Sequence, residues 1–196
     1  MRRAVLLLGA ALAAPAFAAD DAPAAEAARL ASPAGLSALI ACDGHPGDLL
    51  AIAPAVGDPL KAVAVGWRPL PASNMFMSEF ELNAPVQVFG RSSTRIAFAG
   101  TAVMAVLDEA DPHPLARQLR LEAAIDTPQK AMFGREVRSM EATDPETGEA
   151  RIESAVLTVS TVASHPGKVL AGCSYGLDRA DETADEPAPP APAKAQ

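Results

Sequence analysis

The sequence is short of aromatic residues, cysteines and basic charge, and each shortage excludes a class of protein. Its 196 residues include one Trp, one Tyr and six Phe, which argues against a platform for stacking nucleic-acid bases. Lys and Arg number 16 against 24 Asp and Glu, a formal net charge of −8, so phosphate-rich partners are a poor match. Two cysteines are too few for a disulfide-dense miniprotein or a four-cysteine zinc site. We therefore expect no nucleic-acid partner.

The first 18 residues have the composition of a secretory signal peptide. Arg2 and Arg3 form a short positive region, residues 4–14 are apolar, and Ala16-Phe17-Ala18 supplies the small residues of a cleavage site. The apolar stretch is shorter than the roughly 20 residues that cross a bilayer, and no later stretch qualifies. The sequence therefore predicts a periplasmic or secreted protein without a transmembrane segment after cleavage.

Composition divides the rest of the chain into three parts. Residues 19–34 are rich in Ala, Pro and charge and are predicted to form a flexible linker. Residues 179–196 are acidic and then Pro/Ala-rich, which predicts a disordered tail. Residues 35–178 carry nearly all the large apolar side chains that follow the signal peptide, so we expect them to form a single globular domain.

Within this domain the hydrophobic period predicts an α+β fold. Short helices are expected at 47–55 and around 115–121. Alternating apolar residues predict about six strands, at 74–82, from 86, at 94–107, 131–142, 151–163 and 169–177. The long run 94–107 is alternatively two strands with a bulge at Gly100. The order of elements favours one curved antiparallel sheet with two or more short helices.

A weak internal similarity suggests a tandem duplication of a helix followed by strands. Residues 75–80 resemble residues 132–137, and Arg95-Ile96 matches Arg151-Ile152. The alternative is that Ala and Val recur by chance in strands of this composition. The duplication is therefore a hypothesis for the structure to test.

The two cysteines, Cys42 and Cys173, are predicted to form a disulfide. An even number of cysteines in an exported protein favours pairing, and the bond would close a loop of 131 residues. The alternative is lipidation of Cys42, because Leu39-Ile40-Ala41-Cys42 resembles a lipobox. Charged residues lie between that segment and the apolar stretch, which disfavours the alternative.

No motif of the chain supports a catalytic residue, a cofactor or a metal. Residues 172–176 match the G-x-S-x-G nucleophile pattern, but no helix and no histidine follow Ser174, as that chemistry requires. His45, His113 and His165 all stand beside prolines in predicted loops and lack the spacing of metal ligands. Walker A, dinucleotide-binding and zincin motifs are absent from the sequence.

The segment 63–74 is a candidate binding loop because it holds the only tryptophan, Trp67, with Arg68 beside it. Trp and Arg are the residues that binding hot spots favour. The alternative is that Trp67 covers one end of the hydrophobic core.

The sequence as a whole favours an exported, non-catalytic binding or envelope-associated module for an unknown protein or small ligand. The alternative is a small periplasmic hydrolase whose site is assembled from loop residues, with His45, His165 and Asp43 as candidates. A lipid-handling protein is a third possibility, and it requires a continuous apolar cavity under the sheet. The positions of the histidines and of the cavities distinguish these hypotheses.

Overall fold

The computed structural model describes residues 21–144 and 147–179. The predicted signal peptide, residues 1–18, lies outside the described residues, as does the predicted tail apart from Arg179. The described part of the chain forms an α+β fold with one open antiparallel sheet and short helices, so the predicted fold class is confirmed.

The N-terminal helices begin where proline and a capping side chain favour it. The helices are α1 (Asp21–Ala31), α2 (Pro33–Ile40), α3 (Pro46–Gly57), α4 (Pro59–Ala64) and α5 (His113–Gln118). Proline opens α2, α3 and α4, because the first helical position needs no amide donor. Ser32 Oγ accepts from the Gly35 amide at 3.2 Å, and Asp58 Oδ1 accepts from the Leu60 amide at 2.9 Å. In the described part of the chain, no helix has the length and apolar character needed to cross a membrane.

In the described ranges the sheet has eight strands, whereas the sequence predicts about six. They are β1 (Trp67–Pro69), β2 (Ser78–Val88), β3 (Arg91–Ala99), β4 (Ala102–Leu107), β5 (Glu122–Asp126), β6 (Ala131–Thr143), β7 (Ala150–Ser160) and β8 (Val169–Arg179). The order across the sheet is β1-β2-β3-β4-β8-β7-β6-β5, and every neighbouring pair is antiparallel. Two four-stranded meanders, β1–β4 and β5–β8, therefore meet where β4 pairs with β8.

The difference in strand number has local causes. The predicted turn at residues 83–85 is instead an irregularity within β2, where the register with β3 shifts between Glu81 and Val86. Gly100, with a φ of 56°, turns the chain between β3 and β4, so the run 94–107 is two strands. The edge strands β1 and β5 are only three and five residues long and carry no clear alternation. One short helix precedes each meander, α4 the first and α5 the second, but among the described residues α1–α3 have no counterpart in the second half, and a duplication is not confirmed.

The segment predicted as a flexible linker contributes to the folded domain from residue 21 onward. Residues 21–31 form α1, and Leu30 and Ala31 are buried with the main core. The carbonyl oxygen of Ala31 accepts a 3.0 Å hydrogen bond from the Trp67 indole. The sequence pattern missed this role because α1 has one large apolar residue in its buried last turn and otherwise mainly alanines.

The main core lies between the helices and one face of the sheet. Its largest fully buried side chains include Leu36, Leu39 and Ile40 of α2 and Ile52 of α3. Trp67 is buried there as well, with its ring 5.4 Å from that of Phe80 and 5.6 Å from that of Phe98. Arg68, next to it, is exposed, 3.8 Å from Glu81. The Trp67 indole is therefore packed inside the core and is not available to a partner. A binding role for the segment 63–74 stays a prediction, and it rests on Arg68.

The predicted disulfide between Cys42 and Cys173 is present. It joins the turn after α2 to strand β8, with the two Cα atoms 5.2 Å apart. Both cysteines are buried, and the Cys42 sulfur is thereby unavailable for lipidation. The bond is compatible with an oxidising, extracytoplasmic location.

Candidate functional site

An apolar groove of about 630 Å³ runs between helix α3 and strand β8. Leu49, Leu50, Ala53 and Val56 line it from α3, and Phe98 and Leu177 line it from the sheet. This volume lies within the range of about 300–1,000 Å³ that is typical of small-ligand sites. The groove is therefore large enough to hold a ligand group.

The sequence of α3 explains why the groove is apolar. Leu49, Ala53 and Val56 are spaced four and three residues apart and so share one helix face. Leu50 stands beside this face with 74% of its surface exposed, and Leu177 across the groove is 40% exposed. Helix α3 therefore has apolar residues both on the face that packs on the core and beside it. The part of this apolar surface that the core does not cover lines the groove.

The groove has few charged groups. Asp178 is the one charged residue among the described residues that line it. Near Tyr175, at the end of the groove where α3 begins, the positive charge of Arg138 opposes the negative charges of Asp43 and Asp48 in their effect on the tyrosine pKa. Because no described lining residue is basic, an anionic ligand has no partner in this site.

Tyr175 fixes the wall of the groove to the helical layer. Its hydroxyl donates to the Leu39 carbonyl oxygen at 2.6 Å and accepts from the Gly44 amide at 3.2 Å. Burial raises the pKa of Tyr175 to about 12, so the hydroxyl keeps its proton at neutral pH. The Cys42–Cys173 bond ties the same strand to the same loop, so α3 is anchored at its N-terminal end.

Strand β8 extends beyond its partner along this groove. β4 pairs with β8 from Leu107 opposite Val169 to Ala102 opposite Ser174, whereas β7 pairs with β8 as far as Arg179. The last backbone bond on the β4 side runs from the Tyr175 amide to the Thr101 carbonyl oxygen at 3.2 Å. Beyond it, no strand within the described ranges pairs with β8 on that side.

His45 and His165, two candidates for a hydrolase site, lie apart. His45 Nδ1 is 2.7 Å from Glu153 Oε1 on β7, and His165 Nε2 is 3.0 Å from Glu79 Oε1 on β2. Four strand spacings of about 4.8 Å each separate β2 from β7, or about 19 Å. Asp43 is exposed on the turn after the disulfide. The two histidines therefore do not share a site.

The contact between Glu79 and His165 is a buried polar cluster that the sequence did not reveal. Both side chains are only 1% exposed. Burial alone would raise the pKa of Glu79, but contacts with His165, Ser73 and Arg95 outweigh it and hold the pKa below its ordinary value. Ser73 Oγ and Arg95 Nε each donate to this carboxylate, at 2.7 and 2.9 Å. Through these contacts the cluster joins the loops that carry Ser73 and His165 to the sheet.

His113 lies between two carboxylates at the surface. Its Nδ1 is 2.6 Å from Asp111 Oδ1, and its Nε2 is 3.1 Å from Asp126 Oδ1. The hydrogen bonds with Asp111 and then Asp126 raise the pKa of His113 above its ordinary value. Among the described residues there is no group of three or more His, Cys, Asp or Glu that could hold a metal ion.

Ser174, the serine of the G-x-S-x-G pattern, lies inside a continuous strand. It is opposite Ala102 on one side and Val156 on the other. The strained strand-to-helix turn that presents such a nucleophile is not formed here.

Comparisons of the chain with protein-family models, with curated proteins and with solved structures found no match.

Proposed function

We propose that this protein is an exported, non-catalytic binding module that takes an apolar group of its ligand into the groove between α3 and β8. The observation that carries the proposal is the groove itself, which is apolar, about 630 Å³ in volume and bordered by exposed leucines. Export is supported by the signal-like composition of residues 1–18 and by the disulfide.

The free energy available from the groove comes from covering exposed apolar surface. Full burial of a leucine side chain is worth about 1.5–3 kcal/mol, and most of the Leu50 surface is still exposed. A free fatty acid is a poor ligand, because no described residue that lines the groove is basic and its carboxylate would have no partner there. A neutral apolar group, or one followed by a positive charge, fits better.

A neutral fluorescent dye, N-phenyl-1-naphthylamine, tests this function. Its emission should rise when it binds the protein, and Leu50→Glu should weaken binding about tenfold, the loss of about 1.4 kcal/mol. Leu60→Glu is the matched control, because Leu60 is a helical leucine that is 82% exposed and does not line the groove.

Equal dye affinity in the two variants, or no dye binding by the unmodified protein, would contradict the proposed function. Loss of binding in Leu50→Glu alone would support it.

A further inference from the structure

The groove follows the edge of β8, and this points to the chemistry of its ligand. Four consecutive residues, 175–178, line it. Successive side chains of a strand point to opposite faces, so a cavity that contacts four in a row runs beside the backbone and not over one face alone. The ligand in this groove therefore meets main-chain groups as well as side chains.

The main-chain groups of β8 on this side have no strand partner in the described part of the chain beyond Tyr175. Because backbone groups alternate in direction along a strand, the amides of Leu177 and Arg179 point the same way as that of Tyr175. The Tyr175 amide bonds to Thr101, while β7 occupies the opposite edge of β8. The next two odd-numbered residues thus offer donors and acceptors toward the groove.

We propose, on the basis of the function above, that the ligand is an extended segment of another protein that adds as a strand to residues 176–179 of β8. Its main chain bonds to Leu177 and Arg179, and its apolar side chain opposite Leu177 enters the groove under α3. This mode of recognition takes affinity from main-chain bonds and specificity from alternate side chains.

The two faces of the added strand receive different side chains. Leu177 shares its face with the core residue Tyr175, so the residue opposite it meets the apolar groove. Asp178 points to the other face, beside Gly176. A Cβ atom placed on Gly176 would lie 3.0 Å from Asp178 Oδ2. A basic residue opposite Asp178 is therefore favoured. The segment has apolar residues alternating with basic ones.

The chain's own C-terminal segment suits this edge poorly. Residues 180–196 follow β8 directly, but they hold four acidic residues between 181 and 186 and four prolines between 187 and 192. Proline lacks the amide donor that strand pairing needs, and the acidic residues would face Asp178. A basic, proline-free segment of a partner is the better occupant.

The test uses a blocked peptide, Lys-Val-Lys-Leu-Lys-Val-Lys, titrated into the ¹⁵N-labelled protein and followed by NMR. Binding should shift the amide signals of Leu177 and Arg179. Methylation of the peptide nitrogens at the apolar residues removes the donors that face β8 and should weaken binding at least tenfold. Methylation at the lysines, whose amides point away, should cost much less.

A pair of variants tests the protein side of the same bonds. Arg179→Pro removes an amide on the open edge of β8 just beyond the groove, whereas Arg179→Ala removes the same side chain and keeps the amide. Since the Tyr175 amide donates to Thr101 on the β4 side, the amides of the even-numbered residues point toward β7, and we expect both variants to have the same melting temperature. Peptide affinity should be several-fold weaker in Arg179→Pro than in Arg179→Ala.

Equal binding by the two methylated peptides, or equal affinity of the two variants, would overturn strand addition. If the naphthylamine dye still binds in a Leu50-dependent way, the proposed function survives that result. If the dye does not bind either, the proposed function fails as well. Peptide binding that appears only after deletion of residues 180–196 would also overturn the proposal, in favour of the chain's own C-terminal segment as the occupant.

Discussion

Replacement of Leu30 by alanine should lower the free energy of unfolding by about 3 kcal/mol, within the usual range of about 2–5 kcal/mol for a buried leucine. Leu30 is 4% exposed and lies in the last turn of α1, packed in the main core. Truncation removes apolar contacts and leaves a cavity. For a domain of this size, the corresponding fall in melting temperature is about 6–12 °C.

Urea unfolding followed by tryptophan fluorescence measures this effect. Trp67 is the only tryptophan in the chain, and its indole donates to the Ala31 carbonyl oxygen at the end of α1. Its emission therefore changes when α1 leaves the core and also when the core around Phe80 and Phe98 unfolds. Leu60→Ala is the control, because an exposed leucine should change stability by no more than about 0.5 kcal/mol.

Equal stability of Leu30→Ala and Leu60→Ala would refute the reasoning. It would mean that α1 does not unfold together with the sheet, and that residues 19–34 behave as the flexible linker that composition predicts.

Three further predictions concern the anchors of the fold. Cys42→Ser and Cys173→Ser should each lower the free energy of unfolding of the oxidised protein by up to about 5 kcal/mol. The double variant should be no less stable than either single variant, because one bond closes the 131-residue loop. Denaturant unfolding of the three variants measures this. Tyr175→Phe should lower the free energy of unfolding by about 1–3 kcal/mol in the same assay, because the buried Gly44 amide loses its acceptor and the Leu39 carbonyl oxygen keeps only the Cys42 amide as a donor. The pKa of His113, followed by NMR, should lie above the ordinary value of 6.5. Protonated His113 should therefore stabilise the folded state below pH 6.5, and this stabilisation should be lost as the pH rises through the pKa of the folded state. The pH dependence should be absent in His113→Gln.

Alternation and turn chemistry were sufficient to predict the three long strands of the second meander. β6, β7 and β8 begin and end close to the expected residues, because clear turns separate long alternating runs. The disulfide was predicted from the even number of cysteines together with the signal-like N-terminus, and it is present. By contrast, β1 and β5 are short edge strands, whose few residues carry no readable period.

The helical layer and the candidate site depend on tertiary contacts that the sequence does not display. α1 is held by Leu30 and by a backbone acceptor, and neither gives a strong hydrophobic period. The groove exists because β8 is longer than β4, a difference that becomes visible only when the register is known. The one available signal was α3, whose apolar residues occupy more than one face. The pairing of Glu79 with His165 had no signal, because neither partner's neighbours indicate burial.

The pairing of β4 with β8 is the late step in forming the sheet. Each meander forms from strands that are neighbours in sequence, but the sheet becomes continuous only when residues 102–107 pair with residues 169–174. Val103 pairs with Cys173, so the cysteine that closes the covalent loop lies within the strand that joins the two halves. Because the chain has only two cysteines, Cys42 cannot form an incorrect disulfide within the chain before β8 pairs with β4. Chain synthesis must therefore pass residue 173 before oxidation can lock the helices to the sheet, and any chain that stops before β8 leaves both halves unjoined.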